Sequence, residues 1–175
     1  MDPNRFAPAS TDEETVYGAS APGWADPLAG RETVEAWADV MADRDVGRVC
    51  CLLDEGQVAE YDDLLGQYGW EFGADRVLHA PIPDHHLADP DLLTDEVFPF
   101  FESAEEDGER AVVHCLAGVG RTGHVLAAWL AYARGYSPGG ALRAVEETGR
   151  IPRDAVRSGN ATEGELVELL ETVRE

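Results

Sequence analysis

An apolar run, Ala111-Val112-Val113-His114, breaks at Cys115 into a short loop containing Gly118 and Gly120. The chain then passes through Arg121-Thr122-Gly123 into a stretch whose Val125, Leu126, Trp129 and Leu130 share one helical face, and Gly135 is a suitable terminator. Buried strand, tight loop and helix in that order form the repeating unit of parallel α/β sheets. No other segment narrows the fold as far.

The rest of the chain repeats the alternation. Thr15-Val16-Tyr17-Gly18 reads as a short strand, 31–43 carries Val34, Trp37, Val40 and Met41 at helical spacing, and 49–53 is a continuous apolar run between Gly47 and Gly56. A helix is expected over 57–68 and a strand over 76–80, followed by a rigid exit through Pro81-Ile82-Pro83-Asp84. Residues 90–107 suggest a helix that Pro99 should kink or interrupt. Ser137-Pro138 opens another, and Thr162 with Glu165 forms a capping-box pair ahead of the stripe Leu166, Leu169, Leu170 and Val173. The expected fold is α/β, a single domain with a central, mostly parallel sheet flanked by helices. Residues 1–14 are expected as a flexible tail and 15–175 as the domain, since 175 residues with 44% hydrophobic content can close one core but not comfortably two. No apolar run approaches a membrane span and the amino terminus lacks the positive start of a secretory signal, so a cytoplasmic protein with no membrane partner is expected.

Charge is the second constraint. The chain has 35 acidic residues against 13 basic ones, all arginine, for a net −22. Salt near 1 M, with a Debye length of about 3 Å, would remove most of the self-repulsion, so the composition reads as halophilic; the rival reading is an acidic domain made for a basic partner. Residues 110–157 depart from this pattern, with 7 arginines and 3 acids. The Cys115 loop thus lies on a local positive island, as an anion-binding mouth requires.

The loop itself has the parts of an anion cradle. Gly118 and Gly120 allow backbone conformations in which several N–H groups converge, the helix after them adds free donors and its positive dipole end, and Arg121 can grip two phosphate oxygens through its planar fork. A cysteine in such surroundings is expected to be a thiolate at neutral pH. His114 can orient the loop by bonding its backbone, and the Thr122 hydroxyl can stabilise the sulfur as a leaving group.

His-Cys, five residues, Arg-Thr-Gly resembles the signature of protein tyrosine phosphatases and dual-specificity phosphatases. The resemblance runs from Val16 to Gly149, with the Val-Tyr-Gly strand, the Cys-Leu-Leu strand, the Pro-Ile-Pro-Asp loop and the signature in the family's order. It implies a phosphocysteine on Cys115, a phosphate-binding loop formed by Cys115, Leu116, Ala117, Gly118, Val119, Gly120 and Arg121, and Asp84 as general acid and then base. Asp89 and Asp91 are the rivals for that last role. Ile82, where the family often has tryptophan, fits the small dual-specificity type, and the implied partner is a phosphorylated protein carrying phosphotyrosine or also phosphoserine and phosphothreonine. No cofactor, metal or nucleic-acid partner is expected. Adjacent His85 and His86 make a poor metal site and read as solvent-facing, or as tuning the acid loop. Cys50 and Cys51 read as core, although either could form a disulfide with Cys115 under oxidation. Arg150, Arg153 and Arg157 either widen the phosphate field or contact substrate, or are solvated charges.

Three other functions fit parts of the pattern. Rhodanese-like sulfur transfer would need the cysteine loop but no aspartate acid. A phosphate-binding module would need neither Cys115 nor Asp84. A phosphatase for phosphoinositides or the 5′ end of RNA would keep both, although the loop has no lysine for an inositol head and Gly120 stands where RNA-triphosphatase relatives tend to carry asparagine.

Overall fold

Four parallel strands and one antiparallel edge strand make a single sheet in the order β1-β2-β5-β3-β4, formed by β1 (Ala7–Pro8), β2 (Val16–Ala19), β3 (Val46–Cys51), β4 (Val77–His79) and β5 (Arg110–His114). The computed structural model describes residues 2–24 and 31–175. The helices are α1 (Arg31–Asp43), α2 (Glu55–Val58), α3 (Leu64–Phe72), α4 (Pro90–Leu92), α5 (Phe98–Glu106), α6 (Arg121–Ala133), α7 (Pro138–Glu147), α8 (Asp154–Arg157) and α9 (Glu163–Arg174).

Alternation along the central strands sends side chains to two cores. Val49, Cys51 and Val112 pack with Trp37 and Met41 of α1 and Leu64 and Tyr68 of α3. Cys50, Ala111 and Val113 face the larger core, with Phe98 and Phe101 of α5, α6, Leu142 of α7, and Leu166 and Leu170 of α9. Helix α6 is buried continuously from Arg121 to Ala131, beyond the single apolar face read from the sequence, and takes Arg121, Thr122 and His124 inside with it. Its alanines, Ala127, Ala128 and Ala131, let neighbouring elements approach closely. The α/β architecture expected from the alternating pattern is the one observed.

Two local expectations are corrected, at 57–68 and at 2–14, and the interruption expected at Pro99 takes the form of a π-helical turn. The 57–68 helix divides into α2 and α3, because Asp63 takes a left-handed conformation (φ 53°) and its side chain accepts from the Gly66 N–H to cap α3. The 90–107 segment runs from α4 into α5 through a π-helical turn, Leu93–Val97, placed just before Pro99. The wider turn takes up the proline, whose ring would clash with the carbonyl four residues back in a regular α-helix. Residues 2–14 are not loose: β1 adds to β2, Ala9 is fully buried, and the buried Glu13 carboxylate pairs with Arg134 at 2.8 Å while accepting from the Val16 N–H. That ion pair, between residues 121 positions apart, ties the start of the chain to the end of α6. Among the described residues, no helix is long and apolar enough to cross a membrane.

Candidate active site

Parallel strands present their carboxyl ends on one side, and there β3 and β5 run in register with Cys51 opposite His114. Past β5 the chain turns through Cys115–Gly120 into α6. Each turn carbonyl that has a partner is held from outside the loop. His114 Nδ1 donates to Cys115 O (2.9 Å), Ala21 N–H to Leu116 O (2.9 Å), Arg150 Nη1 to Gly118 O (2.6 Å), Ile151 N–H to Val119 O (3.0 Å) and His124 N–H to Gly120 O (3.1 Å). In a trans peptide the N–H points opposite to the C=O. Turning these carbonyls out therefore turns the N–H groups of Leu116, Ala117, Val119, Gly120 and Arg121 in. None of those from Leu116 to Gly120 donates to another described protein group.

Two glycines make this course possible. Gly118 adopts φ +79°, and a Cβ there would stand 2.7 Å from the Ala19 carbonyl carbon and the Ser20 nitrogen. A Cβ on Gly120 would stand 2.8 Å from the Asp154 carboxyl carbon. Gly120 is also the N-cap of α6 and supplies no side-chain acceptor, whereas Asp63, Ser137 and Thr162 cap α3, α7 and α9. The first-turn N–H groups of α6 are thus left for a ligand, at the positive end of a 13-residue dipole.

Around this cradle the structure gathers the residues singled out in the sequence. Cys115 is 3% exposed, and the Thr122 hydroxyl donates to its Sγ at 3.1 Å. Arg121 is buried; its Nη1 donates to Gln57 Oε1 (2.8 Å), Ile82 O (3.0 Å) and Leu52 O (3.4 Å), leaving Nε and Nη2. Nη2 lies 3.3 Å from Asp84 Oδ1. Asp84 is placed by the loop after β4, which is stitched to the end of β3 by Ala80 N–H to Cys51 O and Ile82 N–H to Leu52 O. A cavity of about 180 Å³ lies over the loop, with Cys115, Arg121, Asp84, His85, Asp154 and Trp24 among its walls.

His114 shows how the core supports the loop. Since Cys115 O can only accept, Nδ1 carries the proton, and Nε2 accepts from the Tyr68 hydroxyl at 2.9 Å. Burial lowers its pKa to about 4, which keeps it neutral. Trp37 and Tyr68 rings pack edge-on against it. His85 is exposed, as expected, and also meets the acid loop: it sits at φ +63°, bonds Asp154 Oδ2 through Nδ1 (2.8 Å), and has Nε2 3.7 Å from Asp84 Oδ2. The Asp154 hydrogen bond, then the Asp84 charge, raise its pKa.

Sequence reasoning missed Gln57 and His124. Gln57 joins Arg121 to Asp84, donating from Nε2 to Asp84 Oδ2 at 3.3 Å, while also closing the capping box of α2 with Asp54. His124 accepts the Ala88 N–H at Nε2 (3.0 Å), linking the end of the acid loop to α6, and burial lowers its pKa to about 4. Neither carries a motif: Gln57 resembles any helix-start glutamine and His124 any polar residue on a helix. Asp89 and Asp91 form the N-terminal cap of α4 and do not line the cavity. Cys50 and Cys51 are core residues, and burial raises the Cys51 thiol to about 12. The positive island is largely neutralised at its edges, since Arg134 pairs with Glu13 and Glu105, and Arg153 with Glu146 and Glu163. Among the described residues no group of three or more His, Cys, Asp or Glu side chains has the geometry of a metal site.

Residues 25–134 match the family model Tc-R-P, described as polymorphic toxin system, DSP-PTPase phosphatase. The chain belongs to this phosphatase family. Among individual proteins it is similar to the dual specificity protein phosphatase Mpk3 of Drosophila melanogaster, 35% identical over 77 residues that make up 44% of this chain and 19% of that protein. The match thus spans about a fifth of the relative's length. Among solved structures, Tk-PTP in its active form superposes with a TM-score of 0.71 at 25% identity, covering 99% of this chain and 98% of that one. Human DUSP28 superposes at 0.64 with 18% identity, covering 100% and 98%, a likeness of fold. The two superpositions cover nearly the whole of this chain.

Proposed function

We propose that the chain hydrolyses phosphate monoesters on protein side chains, phosphotyrosine and also phosphoserine or phosphothreonine, through a phosphocysteine on Cys115. The observation that carries this reading is the ring of outward-held carbonyls, which leaves five inward N–H groups and an uncapped helix over one cysteine sulfur. That arrangement fits three phosphoryl oxygens and the charge that develops on them.

In the first step Sγ attacks phosphorus as the bond to the leaving oxygen breaks, and Asp84 gives that oxygen its proton. Arg121, fixed through Nη1, holds phosphate oxygens with Nε and Nη2. In the second step a water attacks the phosphocysteine while Asp84 takes its proton. The S–P bond breaks, and the Thr122 hydroxyl, already donating to Sγ, supports the departing thiolate. Sulfur transfer would give Asp84 and Gln57 no part, and a binding module would need no acid beside the cradle.

The test is an assay of wild type and Cys115→Ser in molar potassium chloride against phosphotyrosine, phosphoserine, inositol-phosphate and RNA 5′-triphosphate substrates. Turnover of phosphotyrosine peptides by the wild type alone is expected. Turnover confined to the inositol or RNA substrates would reassign the substrate, and activity in Cys115→Ser would remove the mechanism.

A further inference from the structure

Arg150 lies just after α7, and its side chain runs inward beneath the Cys115 loop. It is 4% exposed, and among the described residues its Nε is buried without a hydrogen-bond partner and no carboxylate pairs with it. Its two bonds go to neutral acceptors, Gly118 O at 2.6 Å through Nη1 and Ala7 O at 3.3 Å through Nη2. The fold reserves room for it: a Cβ on Gly18 would stand 2.9 Å from Nη2, and one on Gly123 would stand 3.1 Å from the Arg150 Cβ. In a chain of net −22, a buried guanidinium without a carboxylate is an anomaly that needs a counter-charge. The acidic group that acts on it electrostatically is Cys115, while Arg5 adds a second positive charge nearby.

We propose that Arg150 is a positioning residue for the phosphate loop, holding the Gly118 carbonyl outward and supplying from below a fixed positive charge whose counter-ion is the oxyanion bound above it. The inference rests on the phosphatase reading. Of the alternatives raised by the sequence, solvation does not apply because Arg150 is buried, and the wider phosphate field is supplied from beneath the loop. Its effect passes through the peptide between Gly118 and Val119. With Gly118 O drawn down onto Nη1, the Val119 N–H faces the other way, toward the cavity that Val119 helps to line. Ile151 repeats the device one peptide on, with its N–H on Val119 O. Burial also lowers the Arg150 pKa to about 10, in keeping with a cation whose compensating charge arrives with the ligand.

The experiment reads binding apart from turnover. In a Cys115→Ser background in molar potassium chloride, tungstate affinity is measured by calorimetry for Arg150, Arg150→Met and Arg150→Lys proteins, with melting temperatures taken without anion. A buried charge is little screened by the salt. The methionine variant is expected to bind tungstate at least about tenfold more weakly, the loss of one charge-assisted hydrogen bond, and the lysine variant to recover most of that. Should the methionine variant fail to fold, Arg150→Gln, which keeps a donor without the charge, is read in its place with the same expected loss. Equal affinity in the uncharged variant overturns the proposal, as does an equal loss in methionine and lysine variants, which would mean packing alone. A wild type that binds tungstate in this pattern yet hydrolyses no phosphate ester would instead fail the phosphatase reading.

Discussion

The Asp84 carboxylate stands 3.3 Å from Nη2 of Arg121, so the proposed proton donor and the proposed phosphate clamp are ion-paired across the cavity. A phosphate taking Nη2 would displace that contact and free the carboxyl to turn to the leaving oxygen. Asp84→Asn keeps the size and a polar contact but cannot give up a proton. It is expected to lower kcat by about 10²- to 10⁴-fold, the usual contribution of a general acid. The loss should be larger for alkyl phosphates than for nitrophenyl phosphate, whose leaving group needs little protonation. Steady-state kinetics on the two substrates check this; an equal, small loss on both would remove Asp84 from the role.

Gln57 is the hinge between those two groups, accepting from Arg121 Nη1 at 2.8 Å and donating to Asp84 at 3.3 Å. Gln57→Leu should leave the guanidinium less fixed, and a fall of about tenfold in kcat/KM is expected from one lost hydrogen bond to a charged group. The fold should be little affected, because Gln57 is only half-buried and lies in a four-residue helix with no buried residue. Kinetics set beside thermal melting separate the two effects.

The strand, loop and helix around Cys115 were legible because each level of the sequence agreed: an apolar run, glycines where the backbone must turn sharply, then a helical stripe. Asp84 was reachable as well, since prolines on both sides of Ile82 fix the loop that carries it. What could not be read is how residues distant in sequence meet. Nothing in Glu13 announces that it will be buried against Arg134, and so a polar opening segment reads as a tail. Arg150 resembles Arg153 and Arg157 in sequence; only the packing of Gly18 and Gly123 beside it makes it a buried charge. The division of 57–68 turned on one left-handed aspartate, a conformation that no period in hydrophobicity records.

Gly118 and Gly108 share a left-handed backbone but not surroundings, and their alanine variants should differ accordingly. Gly108 has φ +69° with nothing within 4 Å of a Cβ, so Gly108→Ala is expected to cost only the conformational strain, about 1–2 kcal/mol, with activity intact. Gly118→Ala adds a Cβ at 2.7 Å from backbone atoms of Ala19 and Ser20, which cannot swing aside as a side chain would. A larger stability loss and at least about a tenfold fall in kcat/KM are expected, because the Val119 N–H would be turned from the anion. Urea unfolding and kinetics on both variants decide the matter, and parity between them would mean that the close approach at Gly118 is unimportant.

Acid should destabilise this protein before its carboxylates titrate, because His114 and His124 are buried as neutral bases with pKa values of about 4. Above the unfolded value of about 6.5 neither folded nor unfolded chain binds these protons, and the stability is whole. As pH falls from 6.5 toward 4, the unfolded chain takes up protons that the folded chain refuses, so stability falls by about 1 kcal/mol per pH unit for each imidazole. Below about 4 the two contribute no further loss. His124→Gln can keep an acceptor for the Ala88 N–H while removing one titrating base, and it is expected to lower the slope of urea-unfolding free energy between pH 6.5 and 5 by one imidazole's share, about 1 kcal/mol per pH unit. An unchanged slope in that variant would mean that His124 is protonated in the folded protein, and that the Ala88 bond gives way in acid.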